Sequence, residues 1–181
     1  TFKPVKFDAS YYLLDNKNEI YYDPVDFRNE NYHHTIHHGL ELDMRADVME
    51  RIEPYLNYTY QRAEFEGGKY DGYSMPLVPG HVLSGGIEVR PIDGLVVDFS
   101  ANYVSSRTVA SDPLHNSCEL ESFVTMDLAA SYRFKRLRVF GAIKNLAGKS
   151  YFSSATRNWM GDTAYYPAPG LSYVWGLSLI F

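Results

Sequence analysis

At 181 residues the chain is long enough for one domain, and a net charge of −5 argues against a nucleic-acid partner, because phosphate binding needs clustered Lys and Arg. Its 16 Tyr, 10 Phe and 2 Trp make it 15% aromatic, yet no apolar run approaches the roughly 18 residues that a membrane helix needs. The single cysteine, Cys118, excludes a disulfide within the chain and any paired-Cys metal motif.

Alternation with period two predicts strands from the start. Over Val5 to Leu14, Val5, Phe7, Ala9, Tyr11 and Leu13 share one face, with a continuation or kink through Glu19-Ile20-Tyr21-Tyr22. From Thr35 to Ala46, Ile36, His38, Leu40, Leu42, Met44 and Ala46 alternate with Thr35, His37, Gly39, Glu41, Asp43 and Arg45. Ile52, Pro54, Leu56, Tyr58 and Tyr60 predict a third strand, and Leu83, Gly85, Ile87 and Val89 a fourth. Leu95 to Tyr103 and Val124 to Arg133 follow the same rule, and Leu137 to Leu146 and Leu171 to Phe181 bring the count to about eight. Period two alone does not separate a globular sandwich from a barrel. Tyrosine decides: Tyr11, Tyr60, Tyr103 and Tyr132 each stand toward an end of an apolar face, where a membrane interface holds the ring and wets the hydroxyl.

The connections are asymmetric. Val48 to Glu50, Pro91 to Gly94 and Lys135-Arg136 are tight, whereas the loops near 23–34, 66–78, 108–121 and 149–170 are long and rich in Gly, Pro, Asn and Asp. Bacterial outer-membrane barrels keep short turns at the periplasm and long loops outside. The expected fold is therefore all-β, an antiparallel transmembrane β-barrel in the outer membrane, with Phe181 at the periplasmic side and the long loops extracellular. Such a protein is exported, but the chain opens at Thr1-Phe2-Lys3-Pro4 without signal peptide or initiator Met. Either processing removed a signal or the chain is a downstream piece of something longer.

Ile143-Lys144-Asn145-Leu146-Ala147-Gly148-Lys149-Ser150-Tyr151-Phe152, then Pro167-Ala168-Pro169-Gly170-Leu171-Ser172-Tyr173 and the final aromatic strand, resemble the C-terminal signature of TonB-dependent outer-membrane receptors. Asn18-Glu19-Ile20, His38-Gly39-Leu40-Glu41-Leu42, Asn57-Tyr58-Thr59-Tyr60 with Ala63, Pro76-Leu77-Val78-Pro79-Gly80-His81 and Met126-Asp127-Leu128 occur in the order those receptors show. The resemblance implies plugged barrels of roughly the 22-stranded size class, so residues 1–181 would be a C-terminal section of the wall, with the plug and earlier strands absent. It implies import of a scarce ligand, such as a ferric siderophore, haem or cobalamin, driven through TonB by way of the missing N-terminal part. The implied partners are outer-membrane lipid, the remaining barrel and plug, and the barrel-assembly machinery. Gly176-x-x-Leu179-x-Phe181 resembles the signal that this machinery reads, although Val174 stands where the pattern prefers a polar residue. No resident cofactor is implied.

Two groups are candidate ligand contacts. In the loop carrying Tyr151, Phe152, Arg157, Trp159, Asp162, Tyr165 and Tyr166, Arg157, Trp159, Tyr165 and Tyr166 suit stacking on, and neutralising, an anionic aromatic chelate; the alternative is an aromatic girdle or a loop packed on itself. His33 and His37 share the lumen side of a strand's outer end, and imidazole ligates haem iron and transition metals. Spacing of four along a strand separates the Cα atoms by about 13 Å, too far for one ion without a bend, so the competing reading is a polar rim. No metal site is assigned. The lumen carboxylates hydrogen-bond across the wall or to a plug, and no nucleophile elbow marks a catalytic residue. An outer-membrane enzyme and a self-contained, structural or adhesive eight-stranded barrel are the competing functions.

Overall fold

The computed structural model describes residues 5–23, 28–112, 119–158 and 160–179. In chain order the strands are β1 (Lys6–Asp23), β2 (Arg28–Arg45), β3 (Ile52–Phe65), β4 (His81–Val89), β5 (Leu95–Val104), β6 (Phe123–Phe134), β7 (Leu137–Lys144), β8 (Phe152–Arg157), β9 (Thr163–Pro167) and β10 (Ser172–Leu179). Eight of them form one sheet in the order β1-β2-β3-β4-β5-β6-β7-β10, and β8 pairs with β9 apart from it. Every pairing between these strands is antiparallel, so neighbours in the sheet join without a crossover. Among the described residues β1 and β10 are free edges and do not pair with each other. The eight strands therefore do not close, contrary to the self-contained barrel.

Register carries the alternation across the whole sheet. On one face Pro54 stands opposite Ile87, then Phe99, Leu128, Ile143 and Tyr173. On the other, Asp8 stands opposite Asp43, then Asn57, Ser84, Asn102 and Thr125. A one-residue slip anywhere would exchange the two faces. The apolar face is left open, and Trp175 is 80% exposed on the edge strand. On the polar face three glycines are roofed by the aromatic ring directly across the ladder, Gly39 by Tyr12, Gly86 by Tyr55 and Gly176 by Phe140. A Cβ at Gly176 would come within 2.5 Å of the Phe140 ring. The ring thereby covers backbone that glycine leaves bare.

The expected loop at 23–34 is replaced by more strand. β1 and β2 each run 18 residues, and the connection shrinks to 24–27, outside the described residues. The kink expected near Glu19 is local: Asn18 has φ 58° and drops out of the ladder, and pairing resumes at Glu19 opposite Tyr32. β3 likewise continues past Gln61 to Phe65. The expected loop 149–170 contains the β8–β9 hairpin. The buried apolar side chains Ala63, Phe65, Tyr70, Val109, Leu120 and Ala155 all lie toward the end of the sheet that carries these long connections. Among the described residues the wall shows no apolar core, whereas its mouth does.

Candidate functional site

Two small cores knit the mouth. In the first, Val109, Leu120 and Ala155 pack with Leu77, so three separate connections share one apolar contact. Backbone bonds fix it: Leu77 N–H donates to Thr108 O at 3.0 Å, Ala110 N–H to Ala155 O at 2.9 Å and Arg157 N–H to Ala110 O at 3.1 Å. Arg107 is 8% exposed. Its Nη2 donates to Ser153 O at 2.8 Å and to Phe152 O at 3.3 Å, and its guanidinium lies 5.7 Å from the Phe123 ring centroid. Burial pushes its pKa below the ordinary guanidinium value, yet an Arg stays charged. It is a staple between the β5–β6 connection and β8.

In the second core, Tyr21, Tyr32, Phe65 and Tyr70 meet edge to face or tilted, except that Tyr32 stacks on Tyr70 at 6.0 Å, with Tyr32 and Phe65 centroids 4.6 Å apart. Tyr32 Oη donates to Gly67 O at 2.5 Å and accepts from Tyr70 N–H at 3.1 Å. Tyr70 Oη donates to Asp23 at 3.1 Å, and Lys69 Nζ joins the same carboxylate at 3.3 Å. Burial, then the neighbouring Tyr70, Asp23 and Asp112, push the Tyr21 phenol up. These rings bind the long β1–β2 ribbon to the connection after β3.

His37 and His33 are separated by their surroundings. Glu19 accepts from Thr35 Oγ1, which is fully buried, and pairs with His37 Nε2 at 3.1 Å and Asn16 Nδ2 at 3.4 Å. Burial pushes the Glu19 carboxyl up, but the bonds from Thr35 and His37 and the His37 charge hold it below the ordinary carboxylate value. His33 is exposed and its ring stands 6.4 Å from that of His34. His34, which the alternation did not single out, faces Asp15 at 2.5 Å through Nε2 and Glu66 at 2.6 Å through Nδ1. Among the described residues no group of three or more His, Cys, Asp or Glu is placed to hold a metal ion.

Arg157 donates Nε to Gly161 O at 3.2 Å and approaches Asp112 through Nη1 at 3.5 Å, bracing the β8–β9 turn against the β5–β6 connection. Tyr165 tilts on Phe152 at 4.8 Å, Tyr151 stacks on Phe123 at 4.1 Å and Tyr166 is exposed. Tyr151, Phe152 and Tyr165 with Lys149, Glu119 and Glu121 line a cleft of about 340 Å³. Trp159, Cys118 and Phe181 lie outside the described residues. Sequence reasoning missed Arg107, Asp112, Glu19 and Thr35 as organisers of the mouth. Arg107 carried no signal, standing alone in Ser105-Ser106-Arg107-Thr108. Asn145, noted as half of a motif, has a physical role: at φ 52° and 4% exposed, it donates Nδ2 to Lys149 O at 2.8 Å and Pro169 O at 3.3 Å, and accepts from Lys149 N–H at 2.9 Å.

Residues 2–146 match the family described as TonB dependent receptor-like, beta-barrel. No curated protein matches the sequence. Among solved structures, the chain is similar to the ferric-catecholate import receptor Fiu from K12 E. coli, at TM-score 0.73 and 22% identity over 98% of this chain and 25% of that one. It is similar to the ferric yersiniabactin uptake receptor FyuA from Yersinia pestis, at TM-score 0.81 and 16% identity over 98% of this chain and 28% of that one. It is also similar to the copper transporter OprC, at TM-score 0.79 and 15% identity over 99% of this chain and 29% of that one. The chain thus spans between a quarter and a third of each of these proteins, and identities this low speak to fold alone.

Proposed function

Because the chain belongs to the TonB-dependent receptor-like β-barrel family, we propose that it forms the C-terminal wall and part of the mouth of an outer-membrane receptor that imports a scarce ligand, such as a ferric siderophore, haem or cobalamin, through TonB. The observation that carries the reading is a two-faced sheet with open edges, crowned at one end by packed connections. In this reading the apolar face meets outer-membrane lipid and the polar face meets a plug. The short turns and the C-terminus are periplasmic and the packed mouth is extracellular, in keeping with the placement of short and long connections in bacterial barrels. Strands beyond β1 and β10 come from the rest of the receptor, and the barrel-assembly machinery reads the terminal sequence Gly176-x-x-Leu179-x-Phe181. The role is transport and not catalysis: the family and its solved neighbours are transport receptors.

The ligand surface in this proposal is the β8–β9 hairpin. Tyr165 and Tyr166 offer ring faces, Arg157 holds the hairpin that presents them while adding positive charge beside a bound anion, and Trp159, outside the described residues, is a further candidate contact from the sequence. His33 and His37 are the second candidate contact, for haem or a metal. Cells lacking the gene, grown with iron limiting, are expected to lose uptake of one radiolabelled chelate and to lose it equally without TonB. Unchanged uptake of every chelate, haem and metal supplied overturns the reading. Tyr165→Ala with Tyr166→Ala is expected to weaken ligand binding roughly tenfold at normal barrel assembly. If His33→Ala with His37→Ala leaves haem and metal affinity unchanged, the histidines are rim residues.

A further inference from the structure

The tight turn between β6 and β7 brings together Arg133, Lys135, Arg136 and Arg138, all exposed. Among the described residues none of the four is in an ion pair. Arg133 stands directly across the ladder from Arg138, where like charges oppose pairing. The next turn, joined through a 2.9 Å bond from Arg133 N–H to Gly94 O, carries Asp93, which pairs with none of them. The contrast with the neighbouring strand ends is sharp: Arg45 and Arg90 there are matched by Glu53 and Glu88 at 2.8, 3.3 and 2.5 Å.

The side chains around this turn say which partner fits. Phe134 and Leu137 face each other across the ladder on the apolar face, with Tyr132 and Val139 as the next pair, and Phe134 is 58% exposed. Lys135, at φ 55°, lays its ammonium 5.4 Å from the Phe134 ring centroid, so its charge is drawn to the apolar side by the ring. Arg138 by contrast donates Nη2 to Ser131 Oγ on the polar side at 3.3 Å. An apolar band bordered by uncompensated cations is complementary to a lipid whose chains lie on the band and whose phosphate reaches the cations. An acidic polypeptide segment would have no use for the exposed ring and leucine beside the charge.

We infer that the β6–β7 turn is a docking surface for the headgroup of an anionic phospholipid, held chiefly by Lys135 and Arg136 at the tip and strengthened by the field of Arg133 and Arg138. The inference rests on the proposed membrane placement of the apolar face. To test it, the intact membrane protein carrying this chain is reconstituted in phosphatidylcholine nanodiscs containing a minority of phosphatidylglycerol with a photoreactive headgroup. Wild type is expected to be labelled at the turn. Arg133→Ser, Lys135→Ser, Arg136→Ser and Arg138→Ser together are expected to reduce that labelling roughly tenfold or more, and Arg→Lys at the three arginines to keep it. Equal labelling by a phosphatidylcholine probe, undiminished labelling of the serine variant, or protection of the turn by a co-purifying acidic polypeptide in native membranes overturns the docking surface. A spin label at Leu83→Cys, with Cys118 replaced by Ser, separates this from the underlying reading. If that label is open to water-soluble relaxant, the membrane placement itself fails; if it is shielded in lipid while the turn goes unlabelled, the docking surface alone fails.

Discussion

Asn145 shows how a short motif acts as geometry. Its positive φ suits an asparagine better than most residues, and its side chain closes the turn that leads from β7 into the long connection, through bonds to Lys149 and Pro169. Asn145→Ala removes those bonds and leaves a left-handed residue without local support, an expected loss of about 3 kcal/mol, read as a lower midpoint for the heat-modifiable band of the barrel. At Arg107, replacement by Met keeps the packing against Phe123 but strands the Phe152 and Ser153 carbonyls. The β8 amides are then expected to exchange faster by about one to two orders of magnitude, for a loss of roughly 1–3 kcal/mol, as hydrogen exchange measures. Glu19 makes the ribbon acid-sensitive. Its carboxyl lies below the ordinary value, so its stabilisation is complete above the unfolded carboxylate pKa and is lost as pH falls through the lowered folded value. Exchange at the β1–β2 tip is expected to rise on acidification below about pH 4, and Glu19→Gln is expected to flatten that rise.

The strands of the wall were legible because a residue there has two choices of environment, so period two is enforced along the full length of the membrane-sized segments. β2 shows this best: the reading of Ile36 through Met44 survives in the register with both neighbours. Where that two-sided constraint ends, legibility ends. Asn29, Glu30 and Asn31 read as loop, yet they are strand because Tyr21 and Tyr32 find Phe65 and Tyr70, a tertiary contact that no local pattern encodes. β8, Phe-Ser-Ser-Ala-Thr-Arg, offers small polar residues with little contrast; what makes it a strand is the fully buried Ala155 against Val109 and Leu120. Leu120→Ala is therefore expected to cost about 2–4 kcal/mol and to expose the β8–β9 hairpin to protease while the wall stays folded. The roofed glycines belong to this scale as well. Gly176→Val collides with Phe140, and slower assembly of the terminal pair β7–β10 is the expected outcome in a time course of heat-modifiable product.

At the scale of the whole molecule, β1 and β10 leave two rows of backbone donors and acceptors unpaired among the described residues, which is costly in a lipid setting. The 181-residue chain refolded alone in detergent is expected to give no heat-modifiable species, and, on the function proposed above, to give one when further strands are supplied. A single closed product from this chain alone would contradict the open sheet. The first of the two small cores also governs what an antibody can recognise. Leu77, Val109 and Ala155 are far apart in sequence and packed together in space, so an antibody to the surface over this buried core would need three connections folded against one another, and a linear peptide copied from any one of them would not reproduce it.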